Sequence, residues 1–337
     1  MFKNIRFVLV YFLIFVALFG QWALWSNPSL PVGESDKGFG AGKGQIYYTI
    51  HGSATYINWS HEALGNEPFS HSGSLNTYLI RPGVLYGLSN KWNLIIHSTL
   101  GVREMDWKRP EASIHHRDET TLSDFINAQG SVLGDTRLIL RYIIQNTGMG
   151  KGFRIYAGPG ITIPSKSVLI SNPFFLEGDE QKEHRHFSLS NGTYNSVMEG
   201  QVYYRRNENP VFIGGFFLFE KPLAESEFGF LPSKITTLSF SASFMNFDQR
   251  ESSMDYGISL VHASQGYWNS LPAPNSKSLT IIPSIGYLFN TSFGGVSINL
   301  QKPIYISGAF ASNEGDIEQR SVIWQLSSSL RFLPTSN

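Results

Sequence analysis

Three groups of residues in this chain could do chemistry. The first is His262-Ala263-Ser264-Gln265-Gly266. A histidine and a serine two positions apart fall on one side of an extended strand. The imidazole could then take the serine proton, with Asn269 or Asn275 orienting the ring, and these are the parts of an acyl hydrolase. The second group is two loops, Ile114-His115-His116-Arg117-Asp118-Glu119 and Gly178-Asp179-Glu180-Gln181-Lys182-Glu183-His184-Arg185-His186. Imidazoles and carboxylates ligate divalent metals, but the interleaved Arg and Lys oppose a cation. Solvated loops contacting lipopolysaccharide phosphates are the simpler reading, and neither a metal nor a cofactor is expected. The third group is a set of dispersed cations, Arg81, His97, Arg103, Arg137, Arg141, Arg154, Arg205 and Arg331, with the acid Glu199. They form a site only if the backbone turns them to one side.

The elements that would do this are strands. From Val322 to Phe332, VIWQLSSSLRF, Val322, Trp324, Leu326, Leu330 and Phe332 alternate with Gln325, Ser327, Ser329 and Arg331. A period of two is a strand with one apolar and one polar face. The same pattern recurs near Gln45–Asn58, Ser74–Leu88, Trp92–Met105, Asp135–Gln145, Gly152–Ile163 and Gly192–Arg205, then near Val211–Glu220, Lys234–Phe247, Tyr256–Ser264, Ser278–Leu288 and Gly294–Gln301. Nearly all of these runs are about the length needed to cross a bilayer obliquely. Short links such as Ser89–Lys91, Thr147–Lys151, Asn207–Pro210 and Asn290–Ser292 alternate with long polar ones, Ser60–Gly73, Asp106–Gly134, Pro164–Asn191, Lys221–Ser233, Gln265–Lys277 and Lys302–Arg320. The link Asp248–Asp255 is longer than the other short ones, which leaves the strand count open there. The expected fold is all-β, an antiparallel transmembrane β-barrel of about twelve strands in one domain.

Parity then assigns faces. Leu138, Leu140, Tyr142 and Ile144 should meet lipid, and so should Leu238, Phe240, Ala242 and Phe244. Arg137, Arg141 and Gln145 should point inward with Thr237, Ser239, Ser241 and Ser243. In the strand from Ser278, Leu279, Ile281, Ile285 and Tyr287 should face out, with Ser278, Thr280, Ser284 and Gly286 facing in. The named cations and Glu199 fall on the inward parity. Two readings of them stay open. A positively biased pore would attract anionic or electron-rich solutes. Alternatively the arginines bond across the lumen to Glu199, Gln201 and loop carboxylates, and so rigidify a narrow barrel.

Composition narrows the class. The chain has 337 residues, 26 basic and 26 acidic, with 25 Phe, 15 Tyr, 7 Trp, 32 Gly and no Cys. Zero net charge gives no basic surface for nucleic acid, and the lack of Cys rules out a disulfide scaffold and a lipoprotein cysteine. Lys3 and Arg6 ahead of the apolar run Phe7–Phe19 read as a secretory signal over residues 1–20, with cleavage between 20 and 26. An uncleaved helical anchor is the alternative. Residues 21–43, with Pro28, Pro31 and FGAGKG, read as a flexible lead-in, and 44–337 as the barrel.

Resemblances add to this. The segments YGLSNKWNL (Tyr86–Leu94), GDTRLILRY (Gly134–Tyr142), GPGITIPS (Gly158–Ser165), LTIIPSIGYLF (Leu279–Phe289) and INLQKPIY (Ile298–Tyr305) together resemble a family of outer-membrane transporters named after the MetA pathway of phenol degradation. That resemblance implies a bacterial outer-membrane barrel passing small hydrophobic or aromatic compounds, and it brings no catalytic residues. The five residues from His262 resemble the catalytic strand of outer-membrane phospholipase A. Phe332 resembles the C-terminal aromatic by which barrel-assembly machinery recognises its clients, displaced here by the trailing LPTSN.

The expected function is that of a non-enzymatic channel or transporter working by passive diffusion, with the inward arginines setting selectivity. Its expected partners are outer-membrane lipids and lipopolysaccharide, a small-molecule solute, and the assembly machinery during insertion. The alternatives are an outer-leaflet phospholipid hydrolase using His262 and Ser264, and a structural or adhesive surface barrel.

Overall fold

A computed structural model describes residues 40–61, 71–107, 132–148, 150–168, 188–245, 252–273, 276–291, 294–308 and 319–332. The leader, the lead-in up to residue 39, both His-rich loops and Asn275 lie outside the described residues.

The strands are β1 (Ile46–His61), β2 (His71–Gly87), β3 (Trp92–Trp107), β4 (Leu133–Asn146), β5 (Gly152–Ile163), β6 (Asn195–Arg205), β7 (Phe212–Pro222), β8 (Phe230–Leu231), β9 (Ile235–Met245), β10 (Ser252–Ala263), β11 (Tyr267–Trp268), β12 (Leu271–Pro272), β13 (Ser278–Thr291), β14 (Gly294–Gln301), β15 (Ile304–Gly308) and β16 (Gln319–Phe332). Wall strands pair antiparallel with their neighbours, and β1 pairs with β16 from Tyr48↔Phe332 to His61↔Gln319, which closes the sheet. Because β14 and β15 share one wall position beside β13, the barrel has twelve strands. β10 starts at Ser252, so the long link expected before it shrinks to residues 246–251.

The faces follow the alternation. Phe240 is 64% exposed and Ser243 is 4%. This inversion, with apolar residues outside and hydroxyls and charges inside, is what a barrel in lipid requires: closure pairs the wall strands with one another, and the outer side chains meet hydrocarbon. Aromatic pairs on the outer face, Trp92–Tyr142 and Phe153–Tyr204, each with ring centroids 4.8 Å apart, form part of a girdle near the short-turn end. One residue departs from the expected parity. A register shift between Ile143 and Gln145 puts Gln145 opposite Ile155 and leaves it exposed, so it does not join the inward set.

Two further departures matter. The stretch 302–320, expected as a loop, contains β15. β14 pairs with β16 up to Gln301↔Gln325, whereas β15 pairs only with β13. Above Gln325, β16 is therefore laddered to β1 alone among the described residues. Pro303 supplies no N–H, a reason for the ladder to stop there. Lys302 reaches across the break: its Nζ donates to the Ile323 carbonyl at 2.8 Å and lies 4.6 Å from the Trp324 ring centroid. At the long-loop end, β8, β11 and β12 form a small sheet packed around the stacked pair Phe230–Trp268, with centroids 4.7 Å apart.

Candidate functional site: a charged layer inside the barrel

The inward face of β1–β7 is built in layers. At the short-turn end the layer is mostly apolar: Tyr47, Leu85, Ile143 and Tyr156 are buried. The end of the lead-in packs into it. Ala41 is buried, its N–H donates to Asn93 Oδ1 at 3.0 Å, and Asn93 Nδ2 donates back to the Ala41 carbonyl at 2.8 Å. A Cβ on Gly40 would come within 2.8 Å of Ile143 and 3.3 Å of Tyr156. Residues 40–43 are thus fitted against the lumen wall. At the long-loop end a second apolar group, Ile57, Trp59, Leu79, Leu189 and Ile323, lines the inside.

Between them lies the charged layer. Arg141 Nε donates to Glu199 Oε1 at 2.5 Å and its second nitrogen to Oε2 at 3.2 Å. The bond crosses β5 at Gly158, which stands opposite Glu199. A Cβ on Gly158 would meet the Leu140 carbonyl oxygen at 2.2 Å, so the close approach of β4 and β5 needs glycine there. Arg137 pairs with Glu220 across both β5 and β6, and its Nε donates to Thr162 Oγ1 at 3.3 Å. Thr162 Oγ1 in turn donates to Glu220 Oε1 at 3.1 Å, and Asn195 Nδ2 donates to the same oxygen at 2.9 Å. Both pairs are buried, and such pairs need these extra donors to offset desolvation.

The cations and Glu199 named from the sequence lie on the inner face. Arg81, His97, Arg103 and Arg137 line one small cavity of about 30 Å³, partly open, together with Asp135, Thr99 and Leu189. Arg154 stands apart, donating to the Gly148 carbonyl and lying 4.9 Å over the Phe212 ring. Arg205 and Arg331 are only partly buried, toward the short-turn end. Sequence parity found Glu199 and missed Glu220, Asp135 and Asp255, which are also turned inward. The strand holding Glu220, FIGGFFLFEKP, is almost wholly apolar. Its two faces cannot be told apart by polarity, and only counting from Phe212 gives the answer.

The hydrolase arrangement is not formed. His262 is exposed on the outer face. Ser264 Oγ accepts the Lys234 N–H at 2.9 Å and donates to the Gln265 carbonyl at 3.4 Å, so its hydroxyl serves the turn into the rim. Asn269 sits in a left-handed turn of the small sheet, φ 47°, its side chain close against Gly229. No group of side chains among the described residues could hold a metal.

No family model matches the chain, and no curated protein matches it. Among solved structures it is similar to the COG4313 outer membrane channel from Pseudomonas putida F1, with a TM-score of 0.56 at 10% identity over 91% of this chain and 99% of that one. The chain has the fold of an outer-membrane β-barrel. More distant similarities are to the NanC porin, with a TM-score of 0.41 at 9% identity over 83% of this chain and all of that one, and to the CymD monoaromatic hydrocarbon channel, 0.37 at 9% over 88% and 90%. Its closed wall and apolar outer band place the protein in the bacterial outer membrane.

Proposed function

We propose that this protein is an outer-membrane channel that passes small molecules by diffusion through its lumen, without a cofactor. The observation that carries this reading is the inside of the wall. A barrel that only displayed loops could fill its core with apolar side chains, whereas this one keeps Arg81, His97, Arg103 and Arg137 around a cavity and buries Arg141 in the same layer. In the proposal these residues, with Glu199, set selectivity, and Arg154, Arg205 and Arg331 bias the short-turn mouth toward anions. The apolar layers above and below suit solutes with a hydrophobic or aromatic part, as the family resemblance implies. The outer-leaflet hydrolase finds no support in a Ser264 hydroxyl already held by the turn. Reconstitution into planar bilayers tests the channel: discrete conductance steps and permeation of small organic solutes are expected, and silence under every voltage and solute gradient would reject it.

A further inference from the structure

The outer wall at the long-loop end carries a pattern that the lumen does not explain. β7 pairs with β9 up to Glu220↔Ile235, so one step further Lys221 stands beside Lys234. β10 pairs up to Ala263 with Ile235 of β9 and Ser278 of β13, which sets Ser264 between Lys234 and Lys277. Glu220, Thr237 and Thr280 are buried on the inner side, and each lysine is an odd number of residues from one of them. Alternation therefore turns all three lysines outward, and all three are exposed. Their row crosses four wall positions, about 14 Å at the usual strand spacing. His262, two residues from Ser264, adds an exposed imidazole. No acid shares this outward side of β6, β7, β9, β10 and β13 among the described residues: Glu199, Glu220 and Asp255 face in, and Glu225 and Glu227 belong to the connection after β7.

The backbone under these lysines is held in place. The Lys234 N–H donates to Ser264 Oγ at 2.9 Å, and the Ser264 N–H donates back to the Lys234 carbonyl at 2.9 Å. Ser233 Oγ donates to the Ser276 carbonyl at 2.9 Å, which ties together the residues just before Lys234 and Lys277. Ser276 Oγ accepts the Gly266 N–H at 2.9 Å and Gln265 Nε2 at 2.6 Å, and Ser196 Oγ donates to the Lys221 carbonyl at 3.2 Å. Toward mid-membrane, Phe217, Leu238 and Leu260 are exposed on the same outer side. A fixed row of cations above a lipid-facing apolar wall matches an amphiphile with phosphates in its head and acyl chains along the strands. In the outer leaflet of this membrane that amphiphile is lipopolysaccharide. We infer that Lys221, Lys234 and Lys277 form a binding site for one lipopolysaccharide molecule, whose lipid A phosphates sit on the three ammonium groups and whose acyl chains lie along Phe217, Leu238 and Leu260. The site is on the outside of the wall and stands whether or not the lumen conducts.

Native mass spectrometry of the barrel refolded without lipid tests it, with bisphosphorylated lipid A, its dephosphorylated form and phosphatidylglycerol as probes. One bisphosphorylated lipid A per barrel should bind at least tenfold more tightly than either of the others. The combined exchange Lys221→Gln, Lys234→Gln and Lys277→Gln should weaken that binding at least tenfold. The same exchange at Lys43, Lys91 and Lys151, exposed at the short-turn end, should leave it unchanged. Equal binding of dephosphorylated lipid A would mean that acyl contacts alone hold the lipid, and equal binding of phosphatidylglycerol that any anionic lipid suffices. Either result would overturn the site, as would undiminished binding to the long-loop variant or an equal loss in the short-turn one. Folding of each variant is read from the gel shift of unheated against heated barrel, and if the long-loop variant fails to fold, the three probes on the native protein decide.

Discussion

Glu220 shows how one side chain can hold a layer together. It receives Arg137, Thr162 and Asn195, and so joins β4, β5, β6 and β7. Removing its charge strands a buried guanidinium, so Glu220→Gln should destabilise the barrel by about 3–5 kcal/mol. The pair change Arg137→Met with Glu220→Leu should cost less, because no charge is left buried alone and only the Thr162 and Asn195 donors lose their acceptor. Urea unfolding followed by the heat-dependent gel shift measures both, and equal losses would show that the pair is not what Glu220 supports. Gly158→Ala should cost about 1–3 kcal/mol, because its methyl would be driven into the Leu140 carbonyl. These roles were unevenly legible. Arg141 and Glu199 could be read by parity because their strands alternate cleanly, whereas Glu220 was hidden in a run of phenylalanines. That no carboxylate pairs with Arg81 among the described residues depends on which acids from other strands come near, and no local pattern encodes it.

At the scale of elements, the wall strands were legible because lipid outside and a polar lumen inside impose a period of two on almost every segment. The broken strand β14–β15 was not, because Lys302-Pro303 interrupts the alternation and resembles the start of a loop. Its consequence can be measured. Among the described residues the β14–β16 ladder ends at Gln301↔Gln325, so the amides of 304–308 and 319–323 should exchange with solvent faster than the β1–β2 amides, which pair without interruption from Ile46↔Tyr86 to His61↔His71. Hydrogen exchange by mass spectrometry resolves these peptides, and uniform protection would mean that the wall is continuous. The lead-in is the second element that sequence left vague. FGAGKG reads as spacer, yet Asn93 grips Ala41 at both its N–H and its carbonyl. Asn93→Ala should release it and raise single-channel conductance, with the wall unchanged by circular dichroism.

The whole molecule obeys one rule, that each side chain answers to the medium on its side of the wall. Phe240 and Ser241 are neighbours in mid-strand, one facing lipid and the other the lumen. Phe240→Lys should therefore cost about 2–4 kcal/mol in refolding into vesicles, and Ser241→Lys much less. Equal penalties would contradict the assigned faces. In most barrels the bore is a property of strand number and tilt. Here Ala41, lodged beside Asn93, takes up cross-section at the short-turn mouth. In the channel reading, the aperture at that end is set in part by the chain ahead of the wall, and barrels of identical strand count could differ in throughput through residues that belong to no strand.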